Sequence, residues 1–245
     1  MLNRLKTIKF VMLVSFVSSL LLAIIYSSVK PMVDTNIILD KKQSILKSIG
    51  INTNLLSNNE IEEKYKNHIV EMVIDINGNI NKDIALSDIV WKENKSSGLT
   101  NYLVKVEGEV LINKYLPIYK SKNPNGYIIP ISGKGLWSTL EGYFAVSDDK
   151  SSTLGIVFYA HKETPGLGAE VDKPWFQNQF KIERGKKIFD KDRNLKSIKV
   201  NKQKNTLGKA YEVDGITGAT VTSDGVTKFL KRDLQRYLNF LRVLN

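Results

Sequence analysis

The sequence predicts an α+β fold behind an N-terminal transmembrane helix, and three observations predict it. The uncharged apolar run Phe10 to Val29 opens the chain, short β-like runs fill its middle, and a long amphipathic helix closes it. Strands followed by a terminal helix, rather than strands and helices in alternation, indicate a mainly antiparallel sheet.

The first element is the anchor. At about 1.5 Å rise per residue the run spans the roughly 30 Å hydrocarbon core of a bilayer. Arg4, Lys6 and Lys9 precede it and only Lys30 follows closely, a bias that places the N-terminus in the cytoplasm and the rest of the chain outside. A cleaved signal peptide is the competing reading. The run is longer than a signal's apolar region, and Ala23 to Ser28 holds no clear small-x-small cleavage site, which favours an uncleaved anchor.

Asn36 to Ile51 then reads as a helix, with Ile37, Ile38, Ile45, Leu46 and Ile49 on one side and Gly50 as its stop. His68 to Ile76, before Asn77-Gly78, and Tyr102 to Ile112 read as strands. Glu60, Glu62 and Glu63 read as a solvated helix face. Gly142 to Ser147 and Leu154 to Ala160 form a hairpin around Asp148 to Ser152. Its second strand leads to His161, Glu163 and a Pro-Gly-Leu-Gly loop, where Pro165 stiffens the chain and Gly166 and Gly168 open conformations closed to other residues. Ser197 to Val200 and Ala210 to Val213 read as strands. From Val226 the apolar positions Phe229, Leu230, Leu234, Tyr237, Leu238 and Leu241 recur at helical spacing, with Ser223 or Asp224 as the cap. The expected division is a cytoplasmic tip and anchor over 1–33, a membrane-proximal helix and β-rich region over 34–125, and a C-terminal domain over 126–245.

Composition narrows the chemistry. With 42% hydrophobic residues the chain buries a sizeable core. The formal charge of +11 is spread along the sequence, without a basic helix or an aromatic stacking motif, so nucleic acid is not an expected partner. The excess suits a surface near anionic lipid headgroups or acidic partner subunits. No cysteine is present and His68 and His161 are the two histidines, which excludes thiol redox chemistry and argues against a metal site. Any redox work falls to an organic cofactor, and no G-x-G-x-x-G fingerprint for a nicotinamide dinucleotide is present.

The segment Asp214-Gly215-Ile216-Thr217-Gly218-Ala219-Thr220-Val221-Thr222-Ser223 sets hydroxyls and two glycines directly before the terminal helix. A helix start offers unpaired N–H groups and the positive end of the macrodipole to a phosphate, and glycine lets the backbone approach it. By itself the segment fits a phosphate cradle or an ordinary capped turn equally well.

This segment resembles the attachment motif of the FMN-binding domain family, whose final Thr or Ser carries FMN through a phosphoester. Tyr127-Ile128-Ile129-Pro130-Ile131-Ser132-Gly133-Lys134-Gly135-Leu136-Trp137-Ser138 and His161-Lys162-Glu163-Thr164-Pro165-Gly166-Leu167-Gly168 resemble two further blocks. In order, the three are similar to the NqrC family, the flavin-carrying subunits of sodium-translocating NADH:quinone reductases. The resemblance implies an extracytoplasmic antiparallel-sheet FMN-binding domain with a C-terminal helix, in an inner-membrane complex with other subunits that couples electron flow to sodium export. It also implies covalent FMN on Thr222, with Thr217, Gly218, Ala219, Thr220, Ser223, Glu163, Thr164, Gly166, Leu167 and Trp137 around it. Leu167 is the first choice for a ring contact. Glu163 and Thr164 set hydrogen bonds at the ring or ribityl edge, unless Glu163 is a solvent-facing loop carboxylate, and Trp137 either stacks or lies in the core nearby. Thr217 and Thr220 bind the phosphate or hold the turn. Lys134 is either a positive neighbour of the reduced flavin or a surface lysine, and His161 is structural. A threonine hydroxyl is a weak nucleophile that needs a base, and the chain is not expected to supply that base for Thr222. The resemblance therefore implies a separate FMN transferase with FAD as donor, and no catalytic role for the chain itself. The related flavoprotein of Rnf-type electron-transport complexes shares the motif and anchor, and a membrane-anchored binding or scaffold protein is the rival of another class.

Overall fold

The computed structural model describes residues 2–202 and 206–243, so the bounds 1 and 245 expected for the outer segments lie outside it. Contacts divide the chain into two compact units, Met1–Lys41 and Lys42–Asn245. The described residues of the first are helical, and Phe10, Leu13, Phe16, Leu22 and Ile25 are exposed along it. Helix α1 spans Leu2–Ser48 and holds Pro31 inside it. The anchor and the helix expected from Asn36 are thus one element, ending two residues before Gly50, whose φ of 85° stops it. Ile45, Leu46 and Ile49 are buried, whereas Ile37 and Ile38 are exposed, against the single apolar face expected. The helix is long and apolar enough to cross a membrane.

The second unit is built on a six-stranded antiparallel sheet. Its strands are β1 (Ile69–Asp75), β2 (Ile80–Asn81), β6 (Tyr115–Lys122), β7 (Asn125–Lys134), β8 (Thr139–Ser147) and β9 (Thr153–Ala160), in the order β2-β1-β6-β7-β8-β9. The sheet runs across position 125, because β6 pairs with β7 from Tyr119↔Ile128 to Lys122↔Asn125. A second sheet joins β3 (Val90–Glu93), β4 (Thr100–Val106) and β5 (Glu109–Ile112). Here Tyr102 to Ile112, expected as one strand, is a hairpin. Glu107 and Gly108 take φ of 50° and 90°, the two left-handed residues that a tight turn between right-twisted strands requires. Strands β10 (Lys199–Asn201) and β11 (Glu212–Asp214) pair in parallel, just before the Asp214–Ser223 segment.

Helices complete the unit: α2 (Asn58–His68), α3 (Pro174–Gln177), α4 (Thr220–Arg236) and α5 (Leu238–Arg242). Ser57 caps α2 through a reciprocal capping box with Glu60, and Glu62 pairs with Lys42 at 2.6 Å. Helix α4 lies on the sheet, its Phe229 against the backbone of Gly133 and its Gly225 against the Lys134 carbonyl. Its buried stripe, Val226, Phe229, Leu230 and Leu234, shares one core with Ile129, Ile131, Phe144 and Phe158. The helix starts at Thr220 with Ala219 at its N-cap and no side-chain cap, so Ser223 and Asp224, expected as caps, lie within its first turns. The opposite side of the sheet meets the end of α1, where Gly155 lies against the Ser48 carbonyl.

Candidate functional site

The helix start places Thr222 third in α4, where N–H groups have no intrahelical acceptor. The Ser223 N–H donates to the Ala219 carbonyl at 3.0 Å, and the Ser223 hydroxyl accepts from the Ile216 N–H at 3.3 Å, folding the loop onto the helix. In that loop Gly218 takes a φ of 78°, closed to most side chains, and an added Cβ would meet Leu167 at 2.9 Å. Gly215 packs against the Asn201 carbonyl, which ties the loop to β10.

Thr222 is 1% exposed and its hydroxyl donates to Glu163 Oε2 at 2.8 Å. Glu163, itself 6% exposed, follows β9. Its carboxylate accepts from the N–H groups of Leu136, Trp137 and Ser138 at 3.1, 3.0 and 3.0 Å and from the Ser138 hydroxyl at 3.3 Å. Burial pushes the carboxyl up, but the bonds from Thr222 and the three N–H groups together outweigh it and hold Glu163 below the ordinary carboxylate range. Gly168 closes the arrangement. A Cβ there would stand 2.6 Å from Glu163 Oε2 and 2.7 Å from Thr222 Oγ1.

The fold therefore gathers the three sequence blocks around one hydroxyl. Thr217, Gly218 and Thr220 are exposed and Ala219 and Ser223 buried on the helix-start side; Thr164, Gly166 and Leu167 are exposed on the facing loop. Leu136, Trp137, Leu167 and Val221 form an exposed apolar rim, with Trp137 71% exposed and so outside the core. Beside them a groove of about 660 Å³ is lined by Trp137, Ser138, Tyr159, His161, Lys162 and Asp172, within the size of small-ligand sites. His161 is half-buried and its Nε2 lies 3.4 Å from Asp172 Oδ2. Lys134 is exposed and contributes its carbonyl to the packing of Gly225. No group of metal-ligating side chains occurs among the described residues.

Two features escaped sequence reasoning. The Thr222–Glu163 pair joins residues 59 apart, and only their membership in separate blocks hinted at contact. Asp233 is also buried; it accepts from the Ser132 N–H at 2.8 Å and pairs with Arg232 at 2.9 Å, locking α4 to β7.

These residues fit a flavin phosphate. A hydroxyl stands at an uncapped helix start, glycines leave the backbone bare around it, and an apolar rim suits a flat ring. The architecture is that of a flavin-binding domain behind one apolar helix, and the FMN-binding domain family matches residues 135–235. The NqrC protein of the Na(+)-translocating NADH-quinone reductase of Pseudomonas aeruginosa is 32% identical over 235 residues, covering 92% of this chain and 89% of its own length. Its Haemophilus ducreyi counterpart is 31% identical, with 92% and 87% covered. The crystal structure of the corresponding protein from Parabacteroides distasonis superposes with a TM-score of 0.64 at 33% identity, covering 88% of this chain and 98% of that one. The chain belongs to the NqrC family of Na(+)-translocating NADH-quinone reductase subunits.

Proposed function

We propose that this chain carries FMN as a phosphoester on Thr222 and relays electrons between neighbouring centres of a sodium-translocating NADH:quinone reductase. The observation that carries the reading is the Thr222 hydroxyl, set in the first turn of α4 among the three glycine-containing segments. When bound, FMN supplies one- and two-electron chemistry; the chain supplies position, and charge and hydrogen bonds that tune it. Helix α4 offers its free N–H groups to the phosphate, with Thr217 and Thr220 beside it. Leu167 and Trp137 offer exposed apolar surface to the ring, and Thr164 a polar edge. A covalent link keeps the cofactor at the site whatever its free concentration, which matters outside the cytoplasm, where free flavin is diluted.

The apolar helix and the cationic residues before it support a single-pass inner-membrane protein with its N-terminus in the cytoplasm and its domain in the periplasm. In this reading the other subunits bind NADH and quinone and couple electron flow to sodium export, and an FMN transferase loads Thr222 from FAD. The relatives are named as parts of the quinone reductase, which favours this assignment over the flavoprotein of an Rnf-type complex.

The test is co-expression with a matching transferase. The purified chain should gain the mass of one FMN less one water and fluoresce in a denaturing gel. Thr222→Val should abolish both while the fold is retained, and Thr222→Ser should keep part of the signal. Full fluorescence in the valine variant refutes the attachment site.

A further inference from the structure

We propose that Glu163 is the general base that removes the proton of the Thr222 hydroxyl as the flavin phosphate is transferred to it, an inference that rests on the attachment reading above. The sequence shows no such base, and the fold supplies one from a loop 59 residues away.

The geometry is specific. Glu163 Oε1 is held by the Trp137 and Ser138 N–H groups and the Ser138 hydroxyl, while Oε2 takes the Leu136 N–H and the Thr222 hydroxyl. The backbone of 136–138 thus fixes the carboxylate plane and turns one oxygen toward Thr222, at the 2.8 Å reach that proton abstraction requires. Among the described residues Glu163 forms no ion pair, and no other side chain bonds the Thr222 hydroxyl. A carboxylate already satisfied by backbone donors does not need a threonine to be stable there, yet it is placed on the one hydroxyl the reading makes a nucleophile.

The step balances as follows. Thr222 Oγ attacks the flavin-side phosphorus of flavin adenine dinucleotide held by the transferase. The Oγ–P bond forms and the pyrophosphate P–O bond breaks, its electron pair leaving on adenylate. The hydroxyl proton passes to Glu163 Oε2 and then to the departing adenylate or solvent. Glu163 is thereby neutral at the moment the phosphodiester charge arrives beside it, so two anions do not face each other while the Oγ–P bond forms.

The experiment follows attachment to the full chain in detergent, with purified transferase and excess FAD, by in-gel fluorescence and intact mass. Glu163→Gln should slow attachment about 100-fold or more, and Glu163→Asp should recover part of the rate. The ratio of wild-type to Glu163→Gln rates should fall as pH rises, because hydroxide replaces the missing base; a purely structural role leaves it flat. If the Gln variant fails to fold, Glu163→Asp and Glu163→Asn repeat the comparison with side chains of equal shape. Equal rates with and without a carboxylate, or a ratio independent of pH, overturn the base assignment while leaving Thr222 as the acceptor. Full labelling of Thr222→Val overturns the attachment reading itself, whatever Glu163 does.

Discussion

Two glycines of one loop serve different ends, and substitution separates them. Gly168 has a spatial role, since its missing Cβ leaves room for Glu163 and Thr222. Gly168→Ala should cost about 1–3 kcal/mol through overpacking and slow flavin attachment, read from a urea midpoint and a labelling time course. Gly166 has a conformational role: its φ is 74° and an added Cβ meets nothing within 4 Å. Gly166→Ala should cost about 1–2 kcal/mol through backbone strain alone, read from the same urea midpoint. Glu163 also imposes an acid limit. Its native carboxyl lies below its unfolded value, near about 4.3, so its contribution to stability is present above that value and lost as pH falls through the native one. The stability difference between wild type and Glu163→Gln should therefore be widest near neutrality and shrink below pH ~4, measured by denaturant titration across pH. At this scale the motif made Thr222 legible, because its neighbours lie within a few positions. Glu163 as its hydrogen-bond partner was not, because a contact across 59 residues leaves no local periodicity or spacing.

Among the elements, the coupling of α4 to β7 is central to the site. Asp233 joins the Ser132 N–H to Arg232 inside the core. Asp233→Ala should lower stability by about 3 kcal/mol, the low end for breaking a buried charged pair, because Arg232 keeps partial access to water. A shift in the denaturant midpoint measures it. The uncapped start of α4 makes a second expectation. A phosphate attached there meets the positive end of the helix dipole, worth about 1 kcal/mol, so flavinylated protein should melt about 2–4 °C above the bare chain. Calorimetry of the two forms decides it. The terminal helix and the 142–160 hairpin were readable from periodicity and turn residues. Strand β7 was not, because Pro130, Gly126 and Gly133 are residues that argue against a central strand. In the fold they serve close packing: Gly133 admits Phe229, and an added Cβ on Gly126 would meet Leu154 at 2.6 Å.

For the molecule as a whole, the division at Lys41 sets the expectation. A chain beginning at Lys42 should fold without detergent and take up flavin from the transferase, since the Lys42–Glu62 pair and the buried Ile45, Leu46 and Ile49 all remain. Loss of its circular dichroism signature or of labelling contradicts this. A reporter fused after Asn245 should be active only outside the cytoplasm. The α+β class followed from the order of strand-like and helical stretches, and the apolar helix from length and charge. That β1 and β6 join the same sheet as β7 had no sequence signal, because antiparallel partners are set by register across distant segments.

The concealment of the Thr222 hydroxyl, with Gly168 resting on it and Leu167 beside Gly218, has a kinetic consequence. On the proposed reading a transferase reaches its target only when the 164–168 turn lifts, so an opening equilibrium precedes the chemical step and scales its observed rate. Labelling then carries a factor for local breathing, much as amide hydrogen exchange does, and a change that shifts that equilibrium alters the pace of maturation without touching a single reacting atom.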